Sequence, residues 1–136
     1  MTDYAGDITP QEAWELLNSN PDALLVDVRT QMEWDQIGVP EGPEGREVAF
    51  IEWVRAGGVP NPGFVDELLA TGVQQGAPIV FLCRSGQRSQ GAAAAATQAG
   101  YGPAYNVLEG FEGAADAYGR REHEGWKIAG LPWHRD

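Results

Sequence analysis

Ile79-Val80-Phe81-Leu82-Cys83-Arg84-Ser85-Gly86-Gln87-Arg88-Ser89 is the stretch that decides the fold. Pro78 to Leu82 is a short, wholly apolar run and reads as a buried strand. Cys83 to Arg88 is a polar loop, and Ser89 to Ala99 is an Ala-rich helix closing on Gly100, a residue suited to the C′ position. The same alternation continues on both sides. Thr9-Pro10-Gln11-Glu12 has the capping-box pattern, with Pro in the first turn. Ala13, Trp14, Leu16 and Leu17 then give a helical apolar face, which Asn18-Ser19-Asn20-Pro21 stops. Ala23 to Val28 is a second buried-strand candidate ending in charge at Asp27 and Arg29. Phe64 to Leu69 reads as a short helix closed near Gly72, and Ala104 to Leu108 as a further strand. Residues 38–47 and 56–63 are Gly/Pro-rich and read as loops, whereas Val48 to Val54 fits a strand or an irregular turn. The tail from Glu109 to Asp136 gives no assignment. Strands alternating with helices predict an α/β fold with a mainly parallel sheet.

Bulk properties narrow the function. The 136 residues suffice for one domain with a real core, and neither a repeat nor a linker marks a second, so residues 1–136 are expected to form one unit. Nine basic against twenty acidic residues give a net charge of -11, which argues against nucleic acid and anionic membranes as partners. Cys83 is the one cysteine, so an intrachain disulfide, a CxxC redox site and a cysteine-rich zinc site are excluded. The first residues do not form a secretory signal and no apolar run is long enough to span a bilayer, so the expectation is a cytoplasmic protein.

The chemistry centres on Cys83. A cysteine at the C-terminal end of a central strand, followed by a loop into a helix, stands where ligand sites gather in open α/β sheets. Unpaired amides and the start of the helix favour negative charge there, and Arg84 and Arg88 add positive charge. That setting favours the thiolate, the nucleophilic form. The plain alternative, a small buried hydrophobe, does not account for two arginines, a glycine and two serines around it.

Cys83-Arg84-Ser85-Gly86-Gln87-Arg88-Ser89 resembles the active-site loop of single-domain rhodaneses, the sulfurtransferases. The resemblance runs along nearly the whole chain. Ile8 to Ala13 resembles the family's opening helix, and Leu25-Val26-Asp27-Val28-Arg29 with Glu33 its "hDVR…E" strand end. Tyr105 to Gly110 resembles its "V.NL.GG" segment, and Gly125-Trp126 with Gly130-Leu131-Pro132 its "W…GLP" ending. The resemblance implies a three-layer rhodanese-like fold and a persulfide cycle on Cys83 that needs no cofactor and no metal. The implied partners are a small anionic sulfur donor such as thiosulfate and a thiol or cyanide acceptor, with a protein acceptor as a further possibility. Phosphatases and arsenate reductases of related fold use C-x5-R, to fit a larger oxyanion. Here four residues separate Cys83 from Arg88, which favours sulfur transfer. Arg84 directly after the cysteine suits an anionic donor, whereas relatives preferring 3-mercaptopyruvate tend to have Gly there. A persulfide carrier serving a partner enzyme keeps the same residues and is the alternative reading.

Roles follow for the remaining residues. Arg84 is expected to bind the donor anion. Arg88 either binds the donor or pairs with a carboxylate such as Glu33 or Asp27. Asp27 and Arg29 are expected to tie loops together. Ser85, Gly86 and Gln87 complete the loop, with Ser85 a candidate donor to the persulfide and Gly86 permitting a close amide approach. Ser89 either donates to the sulfur or caps the following helix. His123 and His134 are expected on the surface, and the five tryptophans in core and rim, with Trp34 or Trp53 as candidate pocket walls. Two segments depart from the family pattern. Ile37 to Glu44 stands where many relatives have "GHIPGA" and lacks the histidine, and residues 111–125 lengthen the link before Trp126 into a candidate lid or docking surface.

Overall fold

The structure, a computed structural model, describes residues 3–135. In chain order its elements are β1 (Gly6–Ile8), α1 (Pro10–Ser19), β2 (Leu24–Asp27), α2 (Gln31–Ile37), β3 (Val39–Pro40), β4 (Val48–Phe50), β5 (Val54–Arg55), a 3-10 turn (Ala56–Gly58), β6 (Val59–Pro60), α3 (Phe64–Ala70), β7 (Ile79–Leu82), α4 (Arg88–Gln98), β8 (Ala104–Val107) and β9 (Trp133–His134). Five strands form a parallel sheet in the order β1-β8-β7-β2-β4. β7 lies at its centre with all four residues buried, which is why its sequence shows no polar alternation.

The period-2 geometry of the strands sorts side chains into two cores. Ile79, Phe81 and Cys83 join Phe64 and Leu68 of α3 and Ala92, Ala93 and Ala96 of α4 on one face. Val80 and Leu82 join Ala13 and Leu17 of α1, with Phe111 and Trp126, on the other. The result is the expected three-layer α/β arrangement. The alanines of α4 present little bulk, so that helix packs close to the sheet and its start comes near the end of β7. β2 leads outward to β4, and β7 leads to β8 on the other side. The C-terminal ends of β2 and β7 therefore bracket a topological switch point, where a crevice forms.

Local signals act as read at α1, where the Thr9 hydroxyl accepts from the Glu12 amide and Glu12 returns the bond to the Thr9 amide. A second capping box, Thr30 with Glu33, starts α2; the same pattern stands in the sequence at Thr30-Gln31-Met32-Glu33. Two readings need correction, and one of two alternatives falls. Residues 38–47 are not all loop, because Val39 and Pro40 pair antiparallel with His134 and Trp133. Residues 56–63 include the far strand of a small hairpin, in which Arg55 lies opposite Val59. Ser89 is not the N-cap of α4: Gln87 holds that position without a side-chain bond, and Ser89 is buried inside the first turn. The tail is packed rather than strand-rich. Trp126 is fully buried, meets Trp14 edge-on and donates its indole N–H to the Pro132 carbonyl at 2.7 Å. No helix among the described residues is long and apolar enough to cross a membrane.

Candidate active site

Cys83 directly follows β7, with 1% of its surface exposed. The peptide after it is held from one side. The Phe111 amide donates to the Cys83 carbonyl at 2.8 Å, and the amides of Glu112 and Gly113 donate to the Arg84 carbonyl at 3.0 and 3.2 Å. With these carbonyls fixed, the chain turns so that the Gly86 N–H donates to Cys83 Sγ at 3.2 Å. Gly86 has φ +94, and a Cβ there would stand 2.0 Å from the Leu108 carbonyl oxygen, so only glycine fits. Among the described residues, the amides of Ser85, Gln87, Arg88 and Ser89 have no protein acceptor. One loop amide thus meets the sulfur, and four more are left free for a ligand.

Ser89 supplies a second contact to the sulfur. Its Oγ lies 3.1 Å from Cys83 Sγ and also makes a short hydrogen bond with Asn106 Oδ1. Asn106 is fixed through Nδ2, which donates to the Gly86 carbonyl at 3.2 Å and to Asp7 Oδ1 at 3.0 Å. This leaves Asn106 Oδ1 as an acceptor facing Ser89. A hydroxyl has one hydrogen and here faces two acceptors. It donates to one or the other, Cys83 Sγ or Asn106 Oδ1.

Charged groups hold the loop to the neighbouring elements. Arg88 forms a two-pronged pair with Glu33, Nη1 to Oε1 at 2.7 Å and Nη2 to Oε2 at 2.9 Å. Glu33 Oε1 also accepts from the Thr30 amide and hydroxyl, so one carboxylate caps α2 and anchors the cysteine loop. Burial alone would raise the Glu33 carboxyl, but the bonds from Arg88 and the Thr30 amide outweigh it and hold the carboxyl below its ordinary 4.5. The same partnership raises the Arg88 guanidinium against the opposing effect of burial. Asp27 takes Arg29 instead, at 2.8 Å, both fully buried. Arg29 also donates to the Gly38 carbonyl at 2.7 Å and lies 4.3 Å above the Phe111 ring. It thereby joins the end of β2, the start of β3 and the tail. Arg84 is half exposed and meets Glu112 Oε2 at 3.4 Å.

Cys83 lies on the floor of a cleft of about 690 Å³. Its walls are the cysteine loop, α2, the β5–β6 hairpin and the 111–125 segment, which contributes Glu112 and Arg121. Arg84, Ser85, Gln87 and Arg88 all reach it; Gly86 and Ser89 lie beneath, and Asp27 and Arg29 do not line it. Neither Trp34 nor Trp53 walls it: Trp34 packs edge-on against Phe50, and Trp53 against Phe64, and the apolar lining comes from Met32, Ile37 and Val54. Asn106, Asp7, Arg55 and Arg121 are site residues that the sequence reading missed. A polar Asn inside an otherwise apolar strand was a usable signal; no local pattern marks Arg55 or Arg121.

These features define a class: a three-layer α/β protein with a buried cysteine that accepts from a loop amide at the sheet's switch point. The comparisons make it specific. The profile of the Rhodanese-like domain family matches residues 9–117, and the chain belongs to that family. An uncharacterized protein of Rickettsia conorii is 40% identical over 127 residues, covering 93% of this chain and 94% of its own. The thiosulfate sulfurtransferase GlpE of Glaesserella parasuis is 32% identical over 113 residues, covering 83% of this chain and 89% of its own. The crystal structure of Rv0390 from M. tuberculosis superposes with a TM-score of 0.91 at 53% identity, over 98% of this chain and 99% of that one. The polysulfide-sulfur transferase of Wolinella succinogenes shares the fold, with a TM-score of 0.66 at 22% identity over 98% of this chain and 80% of that one. The family match and the GlpE relative support a sulfurtransferase kind.

Proposed function

We propose that this chain is a cytoplasmic sulfurtransferase of the thiosulfate type, working through a persulfide on Cys83. The Cys83 thiolate attacks the outer sulfur of thiosulfate. An Sγ–S bond forms, the S–S bond of the donor breaks, and sulfite leaves with the electron pair. The protein keeps Cys83–S–S⁻. An acceptor thiolate or cyanide then attacks the outer sulfur and restores the Cys83 thiolate. Both steps are sulfur-to-sulfur or sulfur-to-carbon displacements without an external oxidant or a cofactor. With one cysteine in the chain, the second step must be intermolecular.

The carrying observation is the set of donors at the sulfur: Gly86 N–H and Ser89 Oγ meet Sγ at 3.2 and 3.1 Å, and four more loop amides lack acceptors among the described residues. Those amides are placed to hold the terminal sulfur of a persulfide, an anion larger than the thiolate. Arg84, half exposed at the cleft wall and only loosely paired, binds the sulfonate end of the donor. Arg88, saturated by Glu33, positions the loop. The four-residue spacing from Cys83 to Arg88 speaks against a phosphatase or arsenate reductase. The test is turnover with thiosulfate and cyanide, read as thiocyanate. Wild-type protein should form it and Cys83→Ser should not; a fully active Cys83→Ser variant, or wild-type hydrolysis of an aryl phosphate without thiocyanate, defeats the proposal.

A further inference from the structure

The cleft contains more positive charge than the persulfide cycle uses, and the surplus is on residues outside the cysteine loop. Four arginines line it against three glutamates, in a chain whose net charge is -11. Two of the four are already committed: Arg88 to Glu33 and, more loosely, Arg84 to Glu112. The other two are not neutralised. Among the described residues, no carboxylate lies within ion-pair distance of Arg55 or Arg121.

Both are nevertheless held in place by neutral groups. Arg121 Nη1 donates to the Gly113 carbonyl at 2.7 Å, and its Nε is buried without a partner. Arg55 Nη2 donates to Asn61 Oδ1 at 2.9 Å. Asn61 is itself fixed, donating to the Glu52 carbonyl at 2.8 Å and to Glu67 Oε2 at 2.7 Å. Neutral anchoring leaves each guanidinium its full charge and free N–H groups, in the planar form that matches a carboxylate. The cleft is also far larger than thiosulfate, a five-atom anion, requires, and its volume is that of an organic small-molecule site.

We propose that Arg121 and Arg55 form an anion subsite that receives the carboxylates of an organic thiol, the acceptor that discharges Cys83. This rests on the persulfide reading above. The transfer balances: the acceptor thiolate attacks the outer sulfur of Cys83–S–S⁻ and forms a new S–S bond. The old Sγ–S bond breaks, and Sγ leaves with the electron pair as thiolate. The product persulfide leaves as the anion, with the negative charge on its outer sulfur. The 111–125 segment is then neither a mobile lid nor idle length, but the element that brings Arg121 to the cleft.

The experiment separates loading from discharge. Protein is first loaded with thiosulfate, or with polysulfide, and the persulfide confirmed by intact mass. Discharge is then followed against mercaptosuccinate, a thiol dicarboxylate, and against thioglycerol, a neutral thiol. Wild-type protein should half-saturate at lower mercaptosuccinate than thioglycerol, with the preference weakening in high salt. Arg121→Gln and Arg55→Gln should each reduce that preference by about tenfold, the scale of one lost charge-assisted contact. Arg121→Lys should recover part of it. Equal shifts for both thiols would make the arginines structural, and an unchanged preference in both Gln variants would overturn the subsite. If Arg121→Gln does not fold, Arg55→Gln on the separate hairpin decides. Failure of wild-type protein to load from either donor would instead overturn the persulfide reading, and the subsite with it.

Discussion

Replacing Gly86 by alanine tests the loop geometry with numbers that the structure supplies. Gly86 has φ +94, and the added Cβ would stand 2.0 Å from the Leu108 carbonyl oxygen, 2.8 Å from its carbon and 3.2 Å from the Val107 oxygen. All three are backbone atoms, so no rotamer change relieves the clash. An L-residue in this backbone region costs about 1–2 kcal/mol. Forcing one extra methyl into a filled space costs about 1–3 kcal/mol more. The sum, about 2–5 kcal/mol, is a large part of an ordinary domain's stability. The loop relieves it by lifting away from Leu108, which withdraws the Gly86 N–H from Cys83 Sγ. One hydrogen bond to a charged sulfur is worth about 1.5–3 kcal/mol, so persulfide loading should slow by about 10- to 100-fold. Gly119→Ala is the internal control: φ is +79 there but nothing lies within 4 Å of the added atom, so only the conformational cost of about 1–2 kcal/mol applies. Urea unfolding and stopped loading reactions read by mass give both quantities. Gly86→Ala with stability and loading rate equal to those of Gly119→Ala would refute the reasoning.

Other consequences are as direct. Glu33→Gln removes the anchor of Arg88 and should cost about 1–2 kcal/mol at pH 7, the scale of a half-buried charged pair. Because the folded carboxyl lies below its ordinary 4.5, the wild-type advantage is complete above that pH and lost as pH falls through the folded value; a gap that stays constant down to pH 3 in denaturation curves contradicts this. Ser89→Ala should slow loading by about tenfold while the fold is kept by circular dichroism, since its hydroxyl is lost from Sγ and Asn106 Oδ1 is left without its donor. His123 donates to Asp116 at the surface of the 111–125 segment, and that bond raises its pKa above 6.5. Its contribution is therefore complete below pH 6.5 and lost as pH rises through the folded value; an NMR titration giving 6.5 or lower would contradict the pair.

The parts of the fold written in local pattern were legible. Thr9 with Glu12, the run Ile79 to Leu82 and the glycine at 100 each act through neighbours within a few residues, and each does in the structure what its pattern says. Pairings made far along the chain were not. Val39 finds His134, and the Arg88–Glu33 pair spans 55 positions, so sequence left Arg88 open between two roles. The same limit applies to the site. Cys83 and its loop stood out because they are contiguous. Asn106 and Asp7 reach the sulfur's surroundings only because β8 lies between β7 and β1 in the sheet. Arg121 comes from a segment with no periodic pattern, held by turns and by Asp116, whose carboxylate accepts from the Tyr118 and Arg120 amides. Ser89 was open between cap and sulfur contact for the same reason: its burial in the first turn of α4, which puts its hydroxyl on the sulfur, is not a local signal.

The proposed cycle requires Cys83 to carry sulfane sulfur. Intact-mass measurement after incubation with thiosulfate tests it most directly. The protein should gain ~32 Da, one sulfur atom, located on Cys83, removed by cyanide and absent from Cys83→Ser. An unchanged mass under conditions that leave the Cys83 thiol free to alkylation would contradict it.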